Sequence, residues 1–419
     1  MDTRLILDNI AYLDVIQGKI EQQKTLVIQQ DKIIWVGDSS NFEKESNDIL
    51  LTLPEHSFVL PGLIDCHVHL ESQAVVNYEQ ETMRTKTPTY SYYALKNALL
   101  HLTAGFTTVR DCGGKTHGSS LRELFESGYL PGPRLLVAQR PIRQFGNQEF
   151  VGPEELYEKK SDPETFSGID GVRHAVRDRI KSGSDFIKIM TSGGVLHGQR
   201  SRLVRHFFTE EELYALVSEA HRMGLHVAAH AHGDDGIYSA TKAGIDTIEH
   251  GSFITEETMK LMVQKGNYLV PTQTSAFIDK PDLMKNLPPE VVTKTTAVDT
   301  AMFENHKIAF EKGVKIALGT DAGVPGNPHG TSAREITSMV EKVSMTPLQA
   351  LQCATIEAAK AIKLDDITGS VEVGKKADLI IVNGNVLENI KLLENKKNIQ
   401  YVVKDGRVLV SKGQLEPFL

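Results

Sequence analysis

The sequence predicts an α/β protein: a closed (β/α)8 barrel carrying a small β domain assembled from both chain ends. Three observations predict it. Across the middle of the chain, short apolar runs alternate with helix-length amphipathic stretches, the pattern of repeated βα units. Eight such runs occur there, the number a closed parallel barrel needs. At both ends the pattern gives way to short strands and turns, and neither end has enough strands to bury a core alone. The expected division is residues 1–59 and 365–419 for the β domain and 60–364 for the barrel.

At the N-terminal end, Lys24–Gln30 and Lys32–Gly37 read as strands with turn residues between them. The barrel strands follow: one ending at His69, then Thr107–Asp111, Arg134–Ala138, Asp185–Met190, His226–His230, Thr247–His250, Tyr268–Thr272 and Lys315–Asp321. Helical patterns follow most of them. Thr209 before Glu210, Glu211 and Glu212, and Thr255 before Glu256 and Glu257, read as caps followed by acids in the first turn. Free N–H groups and the helix dipole favour negative charge there. At the C-terminal end, Ala377–Val382 and Ile399–Val403 are strand-like, and Lys404-Asp405-Gly406-Arg407 is a hairpin turn signal. A doubly wound open sheet is the competing architecture. The glycine-rich phosphate fingerprint that would support it after the first strand is missing.

The chain's 419 residues are enough for a large domain and a smaller one. Forty per cent apolar and 24% charged residues suit a soluble globular protein. A formal net charge of −8 argues against nucleic acid as a partner, which selects for basic excess. The stretch Met1–Asp8 lacks a basic segment leading into a long apolar one, and no run of about 18 apolar residues exists. No membrane association and a cytoplasmic location are expected. Cys66, Cys112 and Cys353 are odd in number and widely spaced, which fits small buried residues in a reducing compartment.

The chemistry gathers at strand ends. Leu60–His69 is an apolar run that ends in two histidines two apart, and residues two apart on a strand face the same side. Neutral imidazole is the commonest protein ligand for zinc and similar metals. Alone, such a pair reads more readily as surface or packing residues. Four further strands also end in residues able to hold a metal: Lys188, His230, His250 and Asp321. In a barrel these ends share one mouth. Lys188 lies between Ile187 and Ile189, which face the helices, so Lys188 faces inward. Burying it as a cation is costly. It either reaches water or an acid, or it is neutral and carries CO2 as a carbamate that could bridge two metals.

The whole chain resembles the amidohydrolase superfamily, in its imidazolonepropionase-like and Xaa-Pro dipeptidase-like branch. The matching pieces are Pro61–His69, Thr107–Asp111, Ile187-Lys188, His230-Ala231-His232-Gly233, Ile248–Ser252, Gly319–Gly323 and the tail Gly369–Leu379. The resemblance implies a TIM barrel plus a β-sandwich made from both ends, and a site for two divalent metal ions, usually zinc. One metal would take His67, His69 and Asp321 and the other His230 and His250, with N6-carboxylated Lys188 bridging. Metal binding lowers the pKa of water to about 7, which makes a nucleophile at neutral pH. Asp321 is then expected to take the proton of the attacking water and pass it to the leaving amine.

Specificity is expected in the loops after the strands. Arg143 after strand three and Arg200 after strand four could bind a substrate carboxylate through their planar forks, or could lie on a solvated loop face. His232 reads as a contact to substrate or to a ligand, or as a solvated loop histidine. His329, in Asn327–Gly330, reads as a substrate contact or a turn-stabilising group. Asp65 and Asp111 either orient metal ligands or brace strand ends. The branch's Gly-Gly-His-Gly-like piece after strand three is replaced by Arg140–Gly146, without histidine, which weakens any transfer of prolidase specificity.

The expected activity is hydrolysis of an amide bond by a dipeptidase or carboxypeptidase acting on Xaa-amino-acid dipeptides or N-acyl amino acids. The expected partners are a small-molecule or dipeptide substrate and copies of the same chain. Hydrolysis of a cyclic amide, carbamate or urea-type compound, or ring deamination, is the alternative. Deaminases and imidazolonepropionases of the superfamily usually hold one metal and lack the lysine, so Lys188 counts against them. A non-enzymatic scaffold is the remaining reading, disfavoured because every expected ligand is present.

Overall fold

A computed structural model describes residues 3–77, 81, 84–115, 117–144, 165–196 and 202–417. The N-terminal strands are β1 (Arg4–Asp14), β2 (Lys19–Gln29), β3 (Lys32–Asp38), β4 (Ile49–Leu50) and β5 (Ser57–Pro61). The barrel strands begin with β6 (Leu63–Val68), β7 (Phe106–Asp111) and β8 (Arg134–Val137). Two short strands, β9 (Arg143–Gln144) and β10 (Thr165–Phe166), pair beyond them. The barrel resumes with β11 (Ile187–Met190), β12 (Val227–Ala231), β13 (Thr247–His250), β14 (Tyr268–Val270) and β15 (Lys315–Ile316). The chain closes with β16 (Leu379–Asn383), β17 (Ile399–Lys404), β18 (Arg407–Ser411) and β19 (Gln414–Leu415).

Both chain ends join one nine-stranded sheet, as expected. The link is β5, which pairs antiparallel with β16 and parallel with β1. Strand alternation gives this sheet two apolar faces. Leu7, Tyr12, Val59, Leu379 and Ile381 build a core of its own, while Leu13, Phe58, Leu60, Ile380 and Val382 pack with the barrel and its helices. The result is a β-sandwich docked on the barrel.

The barrel strands form a parallel set of three and a parallel set of five, joined at two seams. At one, Ile142 N donates to Lys188 O at 2.8 Å. At the other, Cys66 N donates to Leu318 O (2.9 Å) and His69 N to Ala322 O (2.8 Å), which ties the last strand to the first. Outward residues such as Val109, Ile187, Ile189, Val227 and Ile248 pack under the surrounding helices. The lower interior is filled by Ile64, Leu136, Phe186, Ala228 and Tyr268 and closed by Ala358 and Ala359 of the helix Ile356–Ala361. The barrel is therefore filled below by apolar side chains.

The helix starts follow the cap chemistry. Glu210–Arg222 begins with a reciprocal box in which Thr209 accepts from Glu212 N and Glu212 accepts from Thr209 N. Thr255 caps Glu256–Lys265 by accepting from Thr258 N. No helix among the described residues is long and apolar enough to cross a membrane.

Candidate metal centre

Strand β6 brings the first two imidazoles to the mouth by a bulge. Between its pairings with Val109 and Asp111 of β7 it carries one extra residue: Asp65 to Val68 is three steps, Val109 to Asp111 two. Such bulges re-aim side chains near functional sites. His67 and His69 end with ring centroids 5.3 Å apart. Asp65 holds the opposite edge of the seam. Its carboxylate accepts from Thr320 Oγ1 at 2.7 Å and from Thr320 N and His67 N at 3.1 Å each. Burial pushes Asp65 up to about 6. Asp65 thus braces two strand ends, and through them His67 and Asp321.

Asp321 sits directly across this seam. Its Oδ1 lies 3.0 Å from His69 Nε2 and 3.5 Å from His67 Nε2, with neither ring aligned as a hydrogen-bond donor. Burial works against its charge, but His69, His67 and Lys188 outweigh it and bring the carboxyl down to about 2. A buried acceptor left without a donor costs about 1–3 kcal/mol; a cation at this point would satisfy it.

Lys188 points inward between outward Ile187 and Ile189, as the alternation predicts, and its Nζ lies 3.5 Å from His67 Nε2. His230, on the neighbouring β12, faces the same space. Its ring centroid lies 4.5 Å from that of His250. His232, just past β12, is buried rather than solvated. It stacks on His250 at 4.7 Å and 13°, and its Nδ1 meets Ser252 Oγ at 2.9 Å.

Three strand ends carry strained backbone. His250, Thr272 and Asp321 adopt φ of 72°, 52° and 59°, a left-handed region that β-branched threonine in particular avoids. The strain has a product: it turns Thr272 Oγ1 to within 2.8 Å of His250 Nδ1. Behind this corner, Glu335 accepts from Gln273 N (2.7 Å) and Thr274 N (2.8 Å), and His306 Nε2 donates to His250 O at 2.7 Å. Gly323 is required next to Asp321 for a different reason: at φ 109°, a Cβ there would meet His69 O at 2.6 Å.

At the strand ends, two groups of possible ligand atoms each lie within 4.8 Å of one another: His67, His69 and Asp321, and His230, His232 and His250. In the first group each imidazole has Nδ1 engaged, His67 by Glu249 and His69 by Gly113 O at 3.0 Å, leaving Nε2 toward the opening. Burial, then the Lys188 charge, lowers His67 to about 4, so the ring is neutral and able to ligate. His230 and His250 are held well below the ordinary range, by burial first and by neighbouring histidines next. These side chains are able to hold divalent metal.

Other expected residues lie further out. His329 forms part of the wall, with Nε2 against Ser72 O and Nδ1 against His101 Nε2, both at 3.0 Å. Asp111 sits beside His69 and accepts from Gly113 N at 3.3 Å; burial pushes it up to about 7. Arg143 lies on β9, one residue past the Ile142 seam. Arg200 lies outside the described residues. Sequence reasoning missed Glu249, Arg110, Thr272, His306 and Glu335. The first two were accessible by alternation: outward Ile248 implies inward Glu249, and outward Val109 implies inward Arg110.

A closed barrel with buried imidazoles and an ionised aspartate at the carboxyl ends of its strands is an arrangement that can serve hydrolysis. The model of the amidohydrolase family matches residues 58–409, and the chain belongs to that family. It is a hydrolase acting on the carbon–nitrogen bonds of amides. The structure of a Xaa-Pro dipeptidase with methionine bound in its active site is 36% identical, covers 97% of this chain and 99% of its own, and superposes with a TM-score of 0.85. A prolidase complexed with N-methylphosphonate-L-proline is 29% identical over 97% of this chain and 100% of its own, at a TM-score of 0.86. Ochratoxinase from Aspergillus niger is 29% identical over 94% of this chain and 85% of its own length.

Proposed function

We propose that this enzyme hydrolyses dipeptides of the Xaa-amino-acid type or N-acyl amino acids, at a centre of two divalent cations, zinc by preference. The observation that carries the reading is the convergence of His67, His69, Lys188, His230, His250 and Asp321, from five separate strand ends, on one opening. His67, His69 and Asp321 would hold one ion and His230 and His250 the other, with Lys188 taken as its N6-carboxylate between them. Such a pair, when bound, polarises the amide carbonyl and activates water at neutral pH.

The chain's own groups supply the rest. Asp321 is ionised well below neutrality and can accept the proton of the attacking water, then return it to the departing amine nitrogen. Its position against His69 holds it at the seam where that transfer would occur. The buried rings of His232 and His329 form part of the wall around these groups. Arg143 and Arg200, on segments after strands three and four, are proposed to receive the substrate carboxylate. The relatives support this chemical class, since one binds methionine and another a proline derivative, both amino-acid-like at the carboxyl end.

The test is metal analysis followed by a screen of dipeptide and N-acyl amino acid libraries. Two metals per chain and turnover of a carboxylate-bearing amide are expected. A ratio of one would favour a mononuclear mechanism. Inactivity on every such amide would move the assignment to cyclic amides, carbamates or ureas.

A further inference from the structure

Below His67 lies an ion pair that the proposed chemistry does not use. Arg110 Nη2 donates to Glu249 Oε1 at 2.8 Å, and both side chains are 0% exposed. The guanidinium packs over the Phe186 ring with 5.1 Å to its centroid. Stability alone does not account for it, because a buried pair is often no better than apolar residues of the same volume. Its remaining contacts give a different reason. Glu249 Oε2 lies 2.7 Å from His67 Nδ1, and Arg110 Nε donates to Cys66 O at 2.6 Å, in the bulge of β6 next to His67.

We infer that Arg110 and Glu249 form a positioning pair that sets the tautomer and direction of His67 for metal binding, an inference that rests on the metal-centre reading above. A carboxylate only accepts, so His67 must donate from Nδ1, which leaves the Nε2 lone pair toward Asp321 and Lys188. Arg110 fixes the carboxylate on one side and the β6 backbone on the other, so ring and main chain are held by one group. His67, Cys112 and Glu249 also lie close enough to hold an ion among themselves. The guanidinium already places a positive charge on that corner, Glu249 is taken up by Arg110 and His67, and Cys112 Sγ faces Cys66 O at 3.6 Å. The cluster therefore serves the centre above it and is not a third metal site.

The decisive variant is the double change Arg110→Met with Glu249→Met, which removes both charges and the acceptor facing His67 Nδ1 at similar volume. Metal-free protein is prepared and zinc affinity is measured by competition with a chelator, beside the melting temperature. The expected result is melting at or above the wild-type value with zinc binding weakened about 10–100-fold. A folded double variant that binds zinc as tightly as wild type overturns the inference. If the double variant does not fold, Arg110→Lys decides, since it keeps the charge and loses the fork to Cys66 O. Weakened zinc binding with an altered visible spectrum of bound cobalt(II) supports the pair; wild-type affinity and spectrum overturn it. A wild-type chain that takes up no zinc overturns the metal-centre reading itself.

Discussion

The two imidazole groups at the mouth are held by different means. His67 and His69 are backed by charge and main chain: Glu249 with Arg110 behind one, Gly113 O beside Asp111 behind the other. His232 and His250 are backed by neutral hydroxyls, Ser252 and Thr272, on a corner that keeps His250 and Thr272 at positive φ. The first group straddles the seam between first and last strands, so its geometry depends on barrel closure. The second lies on adjacent strands β12 and β13, in a continuous parallel register, and depends on local strain held by Glu335 and His306. An ionic partner raises the basicity of a ligand, whereas a hydroxyl chiefly orients it. One centre thus combines a side tuned by electrostatics with a side tuned by backbone geometry.

The largest effect tests the seam side. Asp321→Asn should lower kcat by about 10²–10⁴-fold, the worth of a positioned acid–base group, with metal content near normal. Substantial turnover in that variant would remove Asp321 from the proton-transfer role. The strained side is tested by Thr272→Val, which should weaken metal binding about 10–100-fold while Thr272→Ser restores most of it. Equal binding by all three proteins would show that the hydroxyl orients nothing.

A pH titration of metal-free protein separates the sides further. Burial lowers His232 and His306 from 6.5 to about 4, so the unfolded chain binds more protons than the folded one between those values. Their contribution is present above about pH 6.5 and is lost as pH falls toward 4, at up to about 1.4 kcal/mol per group per pH unit. Asp321, lowered from 3.8 to about 2, holds its contribution until pH falls below about 4. Asp65 and Asp111, raised to about 6 and 7, act in the opposite sense over this range, but the lowered imidazoles outnumber the raised carboxyls, so the melting temperature should fall between pH 6.5 and 4; a rise there would contradict neutral buried imidazoles. The smallest effect concerns the rim. Arg143→Ala should raise KM several-fold for carboxylate-bearing substrates with little change in kcat, and an unchanged KM would discard its role.

Much of this was legible in the chain itself. Strand alternation determined that Ile187 and Ile189 face out and Lys188 in, the Thr209 and Thr255 caps marked helix starts, and the paired ends followed from having too few strands each. These follow from short-range periodicity and backbone hydrogen bonding, which every residue carries locally. What only the tertiary structure decided is which distant groups share a hydrogen bond. The extra residue in β6, the positive φ of Thr272, the burial of His232 and the Arg110–Glu249–His67 contacts all depend on register between strands and on closure of the seam. Register is a property of two segments at once, and neither segment alone encodes its offset to the other.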